Sequence, residues 1–103
     1  MPRIPRRLEF LYSPECPHWS PAERRLSEVA ARFGLPVEHR LVTTEEEAER
    51  VSFRGSPTIL IDGVDPFADD GQAIGLSCRM YRTSDGLAGS PTPDQIAAAL
   101  DGV

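Results

Sequence analysis

The chain has 103 residues, 40% of them apolar and 26% charged, which suits one soluble globular domain and is too short for two cores. A formal net charge of −5 speaks against nucleic acid as a partner, because a phosphate backbone calls for a basic face. No apolar run approaches the roughly eighteen residues of a spanning helix, so no membrane partner is expected.

The start, Met1-Pro2-Arg3-Ile4-Pro5-Arg6-Arg7, is basic like the head of a signal peptide. The apolar run after it, Leu8–Tyr12, is too short for a signal's core and contains Glu9. The expectation is a cytoplasmic protein, one domain over 1–103 with a flexible tail at 1–6. In a reducing compartment its two cysteines, far apart in sequence, should rest as thiols.

Leu8–Tyr12 reads as a buried first strand closed by Ser13-Pro14-Glu15. A helix follows with Ala22, Leu26, Val29, Ala30 and Phe33 on one face. Its start is open: Ser20-Pro21-Ala22-Glu23 is a capping box, whereas a start near Cys16 would place Pro21 inside the helix. Its end is marked by Gly34, Leu35 and Pro36. Val37–Val42 predicts a second, more polar strand. Thr44-Glu45-Glu46-Glu47 opens a short helix through about Ser52, the glutamates forming a solvated first turn that complements the helix dipole.

Thr58–Ile61 is the third predicted strand, with Asp62-Gly63 as a turn signal. Residues 64–76 read as a long loop or insertion, whose Asp65, Asp69 and Asp70 are expected to be solvated turn residues rather than cation ligands. Cys78–Arg82 is the fourth strand and Thr83–Ser90 a linker. Thr92-Pro93-Asp94-Gln95 caps a last helix with Ile96, Ala99 and Leu100 on one face. The order β-α-β-α-β-β-α predicts an α/β fold, a central four-stranded mixed sheet with helices on both faces.

Two segments carry chemistry. Cys16-Pro17-His18-Trp19 lies at the first strand–helix junction, and Gly55-Ser56-Pro57-Thr58 lies just before the third strand. Together with the element order they resemble the thioredoxin superfamily in its small, glutaredoxin-sized form, over most of the chain. The stretch Phe53–Gly63 is also similar to small bacterial thioredoxin-like proteins sometimes labelled alkylmercury lyase.

The resemblance implies a cis Ser56–Pro57 bond and a binding wall of Ser56, Pro57 and Thr58, with Ser56 backbone groups open to an extended substrate. It makes Cys16 the nucleophile, its thiolate favoured at a helix N-terminus and assisted by His18. Pro17 and Trp19 complete the substrate-binding set, Trp19 either as a core residue or as a flat wall beside the sulfur. Where dithiol members of the superfamily have a second cysteine this chain has Trp19, which implies a monothiol site.

Cys78 is expected to be a buried structural residue, unbridged to Cys16, and His39 a surface residue. The sequence contains no Cys-x-x-Cys, His ligand cluster or phosphate loop, so neither metal nor cofactor is expected. The functional expectation is weak thiol–disulfide exchange through Cys16, with a small thiol as co-substrate and a small thiol or disulfide-bearing protein as partner. The alternative is a non-catalytic binding domain for a peptide, a partner protein, or a soft metal or organometal.

Overall fold

The computed structural model describes residues 7–14, 16, 19–68 and 74–101. Strand β1 (Leu8–Tyr12) forms as expected and is the middle strand of a three-stranded sheet. Strand β2 (Val37–Leu41) lies parallel to it on one side, with Leu8 opposite Val37. Strand β4 (Thr58–Ile61) lies antiparallel on the other, with Leu8 opposite Ile61. This placement explains the polarity of the two elements: the central strand is buried along four of its five residues, while the edge strand β2 is exposed along four of five.

The pleat of β1 divides the core in two. Leu8 and Phe10 face helix α1 (Trp19–Arg32) and helix α3 (Pro93–Asp101), packing with Leu26, Val29, Ile59, Ile96 and Leu100. Leu11 faces the other way, toward Val42, Phe53, Leu60 and Ala48 of helix α2 (Glu45–Arg50). Full burial of each such Leu, Ile or Phe contributes roughly 1.5–3 kcal/mol, so the two faces together hold the sheet between its helices.

The helix boundaries follow local chemistry. α1 begins at Trp19 rather than at the Ser20 capping box. Pro21 then falls in the first turn, where its missing N–H costs no intrahelical bond. At the other end Gly34 has φ 68°, and the Leu35 amide donates to the Ala30 carbonyl at 3.0 Å, as a left-handed cap requires. Thr44 Oγ1 accepts from the Glu47 amide at 3.1 Å to cap α2. Both arms of the last capping box form, Gln95 N to Thr92 Oγ1 at 3.1 Å and Thr92 N to Gln95 Oε1 at 2.9 Å.

The expected four-stranded central sheet does not form. The strands divide into a sheet of three, β2-β1-β4, and two separate pairs, strand β3 (Arg54–Ser56) with β5 (Gly75–Cys78) and strand β6 (Tyr81–Thr83) with β7 (Gly86–Ala88). Asp62 and Gly63, with φ of 51° and 82°, turn the chain back only as far as Val64, which pairs with Ile61 and goes no further.

The returning chain instead runs parallel to β3, so Gly75 and Leu76, expected in a loop, belong to β5. The predicted Cys78–Arg82 strand is interrupted where Arg79 turns inward. Its second half joins residues of the predicted 83–90 linker in the β6–β7 hairpin. Only the β1–β2 connection gives a parallel pair in the main sheet. Of the predicted 64–76 segment, residues 69–73 lie outside the described residues, as does the 1–6 tail.

Candidate functional site: a two-cysteine centre

Cys16 sits just beyond β1, in a turn where its amide donates to the Ser13 carbonyl at 3.3 Å. The Ser13 amide in turn donates to Ser56 Oγ at 3.0 Å, tying this turn to the end of β3. The Ser56–Pro57 peptide bond is cis. The β3–β5 register sets Cys78 opposite Ser56. The turn after β1 and the β3–β5 ladder thus bring Cys16 and Cys78 to the same residue.

Cys16 and Cys78 are joined by a disulfide, with Cα atoms 5.6 Å apart and within the usual reach of such a bridge. This overturns three expectations. Cys78 is not an unbridged structural cysteine, the centre holds two thiol groups rather than one, and the cysteines are not at rest as thiols. The physical reason is the parallel β3–β5 pairing, which carries the end of β5 to the cysteine edge. An antiparallel return beside β4 would have carried it away. Burial is also the reverse of the expectation: Cys16 is 1% exposed, whereas Cys78 belongs to the exposed end of β5.

Three of the remaining predicted site residues lie in the interior. Ser56, Pro57 and Thr58 are buried, and their polar groups already have internal partners. The Ser56 carbonyl accepts from the Arg79 amide at 3.0 Å, and the Pro57 carbonyl accepts from the Tyr81 hydroxyl. Thr58 Oγ1 donates to the Gly55 carbonyl at 2.6 Å. The strand edge expected to receive an extended substrate is therefore occupied by the chain's own residues after β5.

Trp19 is half-buried at the start of α1, its ring 4.7 Å from that of Tyr12, packed against the core. Pro17 and His18 lie outside the described residues. His39 is on the exposed β2 and meets the Glu23 carboxylate at 3.0 Å.

Sequence reasoning missed the group that locks this arrangement. Arg79, 3% exposed, places its guanidinium on the Asp65 carboxylate, with Nη1–Oδ2 at 2.7 Å and Nη2–Oδ1 at 3.3 Å. The same guanidinium donates to Thr58 Oγ1 at 3.3 Å and to the Phe67 carbonyl at 2.8 Å, and lies 4.5 Å above the Tyr81 ring.

Asp65, expected to be solvated, is instead a buried counter-ion. Burial pushes the Tyr81 phenol well above its ordinary range, against a smaller downward pull from Arg79, so it stays protonated and donates to Pro57. A sequence signal was available only in part: an Arg directly after Cys78 is visible, but nothing local identifies Asp65 as its partner.

At Cys16, Sγ lies 3.7 Å from the Ser56 carbonyl. In the bridge that sulfur carries no proton. On reduction the carbonyl stands ready to accept from the thiol. The arrangement is chemically capable of passing between a bridged and a reduced state, with one cysteine buried and the other on an exposed strand end. No protein-family model, curated protein or solved structure matches the chain.

Proposed function

We propose that the chain is a thiol–disulfide exchange protein working through Cys16 and Cys78, with a small thiol or a thiol-bearing protein as its partner. A single observation carries this reading: the bridge joins an enclosed sulfur to one on an exposed strand end, beside the Ser56–Pro57 turn. A Cys at a strand–helix junction facing such a turn also supports kinship with the thioredoxin superfamily at the level of the site.

In the forward direction a substrate thiolate attacks Cys78 Sγ, the sulfur of the more exposed cysteine. The Cys78–substrate bond forms, the Cys78–Cys16 bond breaks, and Cys16 leaves as thiolate and takes up a proton. A second substrate thiolate then attacks the substrate sulfur of the mixed disulfide and displaces Cys78. The protein disulfide gains two electrons and becomes two thiols, and two substrate thiols become a disulfide. The reverse sequence reduces a substrate disulfide.

The test is exchange with a small thiol under native conditions, with acid trapping and mass spectrometry. Native protein should form a transient adduct on Cys78; Cys16→Ser, which has no bridge for a thiol to attack, should form that adduct only from the disulfide of the small thiol and hold it until excess small thiol displaces Cys78. If the bridge reacts only after the protein unfolds, exchange is excluded and the bridge serves as a staple in a non-catalytic binding domain. If the first adduct forms on Cys16 instead, the assignment of Cys78 as the attacked sulfur is wrong.

A further inference from the structure

A second site lies on the α2 face of the three-stranded sheet, at its Leu8–Ile61 end. It is a cavity of about 510 Å³ lined by Arg7, Arg40, Arg50 and Arg54, together with Glu9 and Asp65. Leu60 and Val51 contribute apolar lining. The volume is that of sites for small organic ligands.

Register explains the convergence of cations. Arg40 stands opposite Leu11 in the parallel β1–β2 ladder and shares its face, as Glu9 shares that of Leu60 across the sheet. Arg50 ends α2 and Arg54 starts β3, so both reach the same rim from the far side.

The charges do not cancel. Arg7 is matched by Glu9 at 3.4 Å and by Glu38 at 2.8 Å, and Asp65 by Arg79 at 2.7 Å. Four guanidiniums and two carboxylates line the cavity, in a chain whose overall charge is −5. Among the described residues Arg40 and Arg50 have no ion-pair partner, although acidic residues outnumber basic ones by 16 to 11 in the chain.

Arginine's planar fork fits carboxylate and phosphate oxygens alike. We infer that this cavity binds a small organic polyanion, its phosphate or carboxylate groups held by Arg40 and Arg50 and its less polar body against Leu60 and Val51. The site is separate from the two cysteines and stands whether or not they exchange.

The experiment is calorimetric titration of the intact protein at low salt with adenosine monophosphate, citrate and pyrophosphate, with adenosine as the uncharged control. At least one of the three anions should bind with a dissociation constant below about 1 mM, while adenosine should not. The double variant Arg40→Gln/Arg50→Gln should weaken binding about tenfold or more, since each guanidinium supplies charge-assisted bonds.

Arg24→Gln/Arg32→Gln removes the same charge from exposed positions on α1 and should leave affinity unchanged. Preference for the nucleotide or pyrophosphate over citrate identifies a phosphate site, and the opposite order a carboxylate site. The inference is overturned if none of the anions binds, if adenosine binds as well as the nucleotide, or if both double variants lose affinity equally.

Discussion

A buried guanidinium is tolerable only when its surroundings replace water in almost every direction, and Arg79 shows how closely that condition is met. Two contacts go to Asp65, one each to Thr58 and Phe67, and the Tyr81 ring closes one face; its Nε alone, among the described residues, has no hydrogen-bond partner. Removing the counter-charge should therefore cost more than an exposed pair is worth. Asp65→Asn is expected to destabilise the protein by about 3–5 kcal/mol, the range for breaking a buried pair, read as a lower urea midpoint. A change of less than about 0.5 kcal/mol would show that the pair is not held as described.

Gly55 presents a second single-residue constraint. Its φ is 106°, and a Cβ there would lie 2.8 Å from the Ser77 carbonyl and 3.0 Å from Arg79 Cβ. Gly55→Ala is expected to disturb the β3–β5 pairing at a cost of at least about 1–3 kcal/mol and to lower the yield of the Cys16–Cys78 bridge on air oxidation. Wild-type bridge yield and stability in that variant would refute the close approach. Cys16 and Ser56 were legible in the sequence as neighbours through the resemblance that pairs their two motifs. Asp65 and Arg79 were not, because their pairing depends on where β5 docks.

Elements whose specification is local were the most readable. The caps of α2 and α3 and the Gly34 end of α1 each lie within a few residues of the bonds they make. The β3–β5 pair failed to show in the sequence because both strands are short, and their register shifts between Arg54 and Ser56. An isolated pair of this kind is stabilised by what it docks against rather than by its own pattern.

Docking of α1 beside β2 has a titratable component. Glu23 accepts from Ser27 at 2.7 Å and meets His39 at 3.0 Å, and these contacts, Ser27 first, hold its carboxyl below the ordinary 4.5. A depressed folded-state pKa stabilises above the unfolded value, and that gain disappears as pH falls through the folded value. Stability should therefore decline below about pH 4.5 in part through Glu23, and Glu23→Gln should flatten that limb of the stability–pH curve. An unchanged acid limb in the variant would exclude Glu23 as a contributor.

The whole molecule is two apolar layers on one three-stranded sheet, to which the β3–β5 pair is fastened by the bridge and by Arg79. Neither layer includes Cys78, so the sheet and its helices should survive loss of the disulfide while the pair loosens. Closing a separation of 62 residues restricts the unfolded chain by about 4 kcal/mol on the chain-entropy account, which sets the scale of the stability lost on reduction.

The loss should not be uniform. The Gly75 amide donates to the Phe53 carbonyl and the Arg79 amide to the Ser56 carbonyl, each at 3.0 Å, and these bonds report directly on the pair. In Cys16→Ser/Cys78→Ser, hydrogen exchange at Gly75 and Arg79 should accelerate most, while Phe10 and Leu11 in the central strand, which open only with global unfolding, should accelerate by no more than the lost global stability dictates. Equal acceleration at all four amides would mean that reduction weakens the molecule as one cooperative unit. Selective opening would place the redox-sensitive part of the fold at the strand that carries the exposed cysteine, where a thiol substrate would approach.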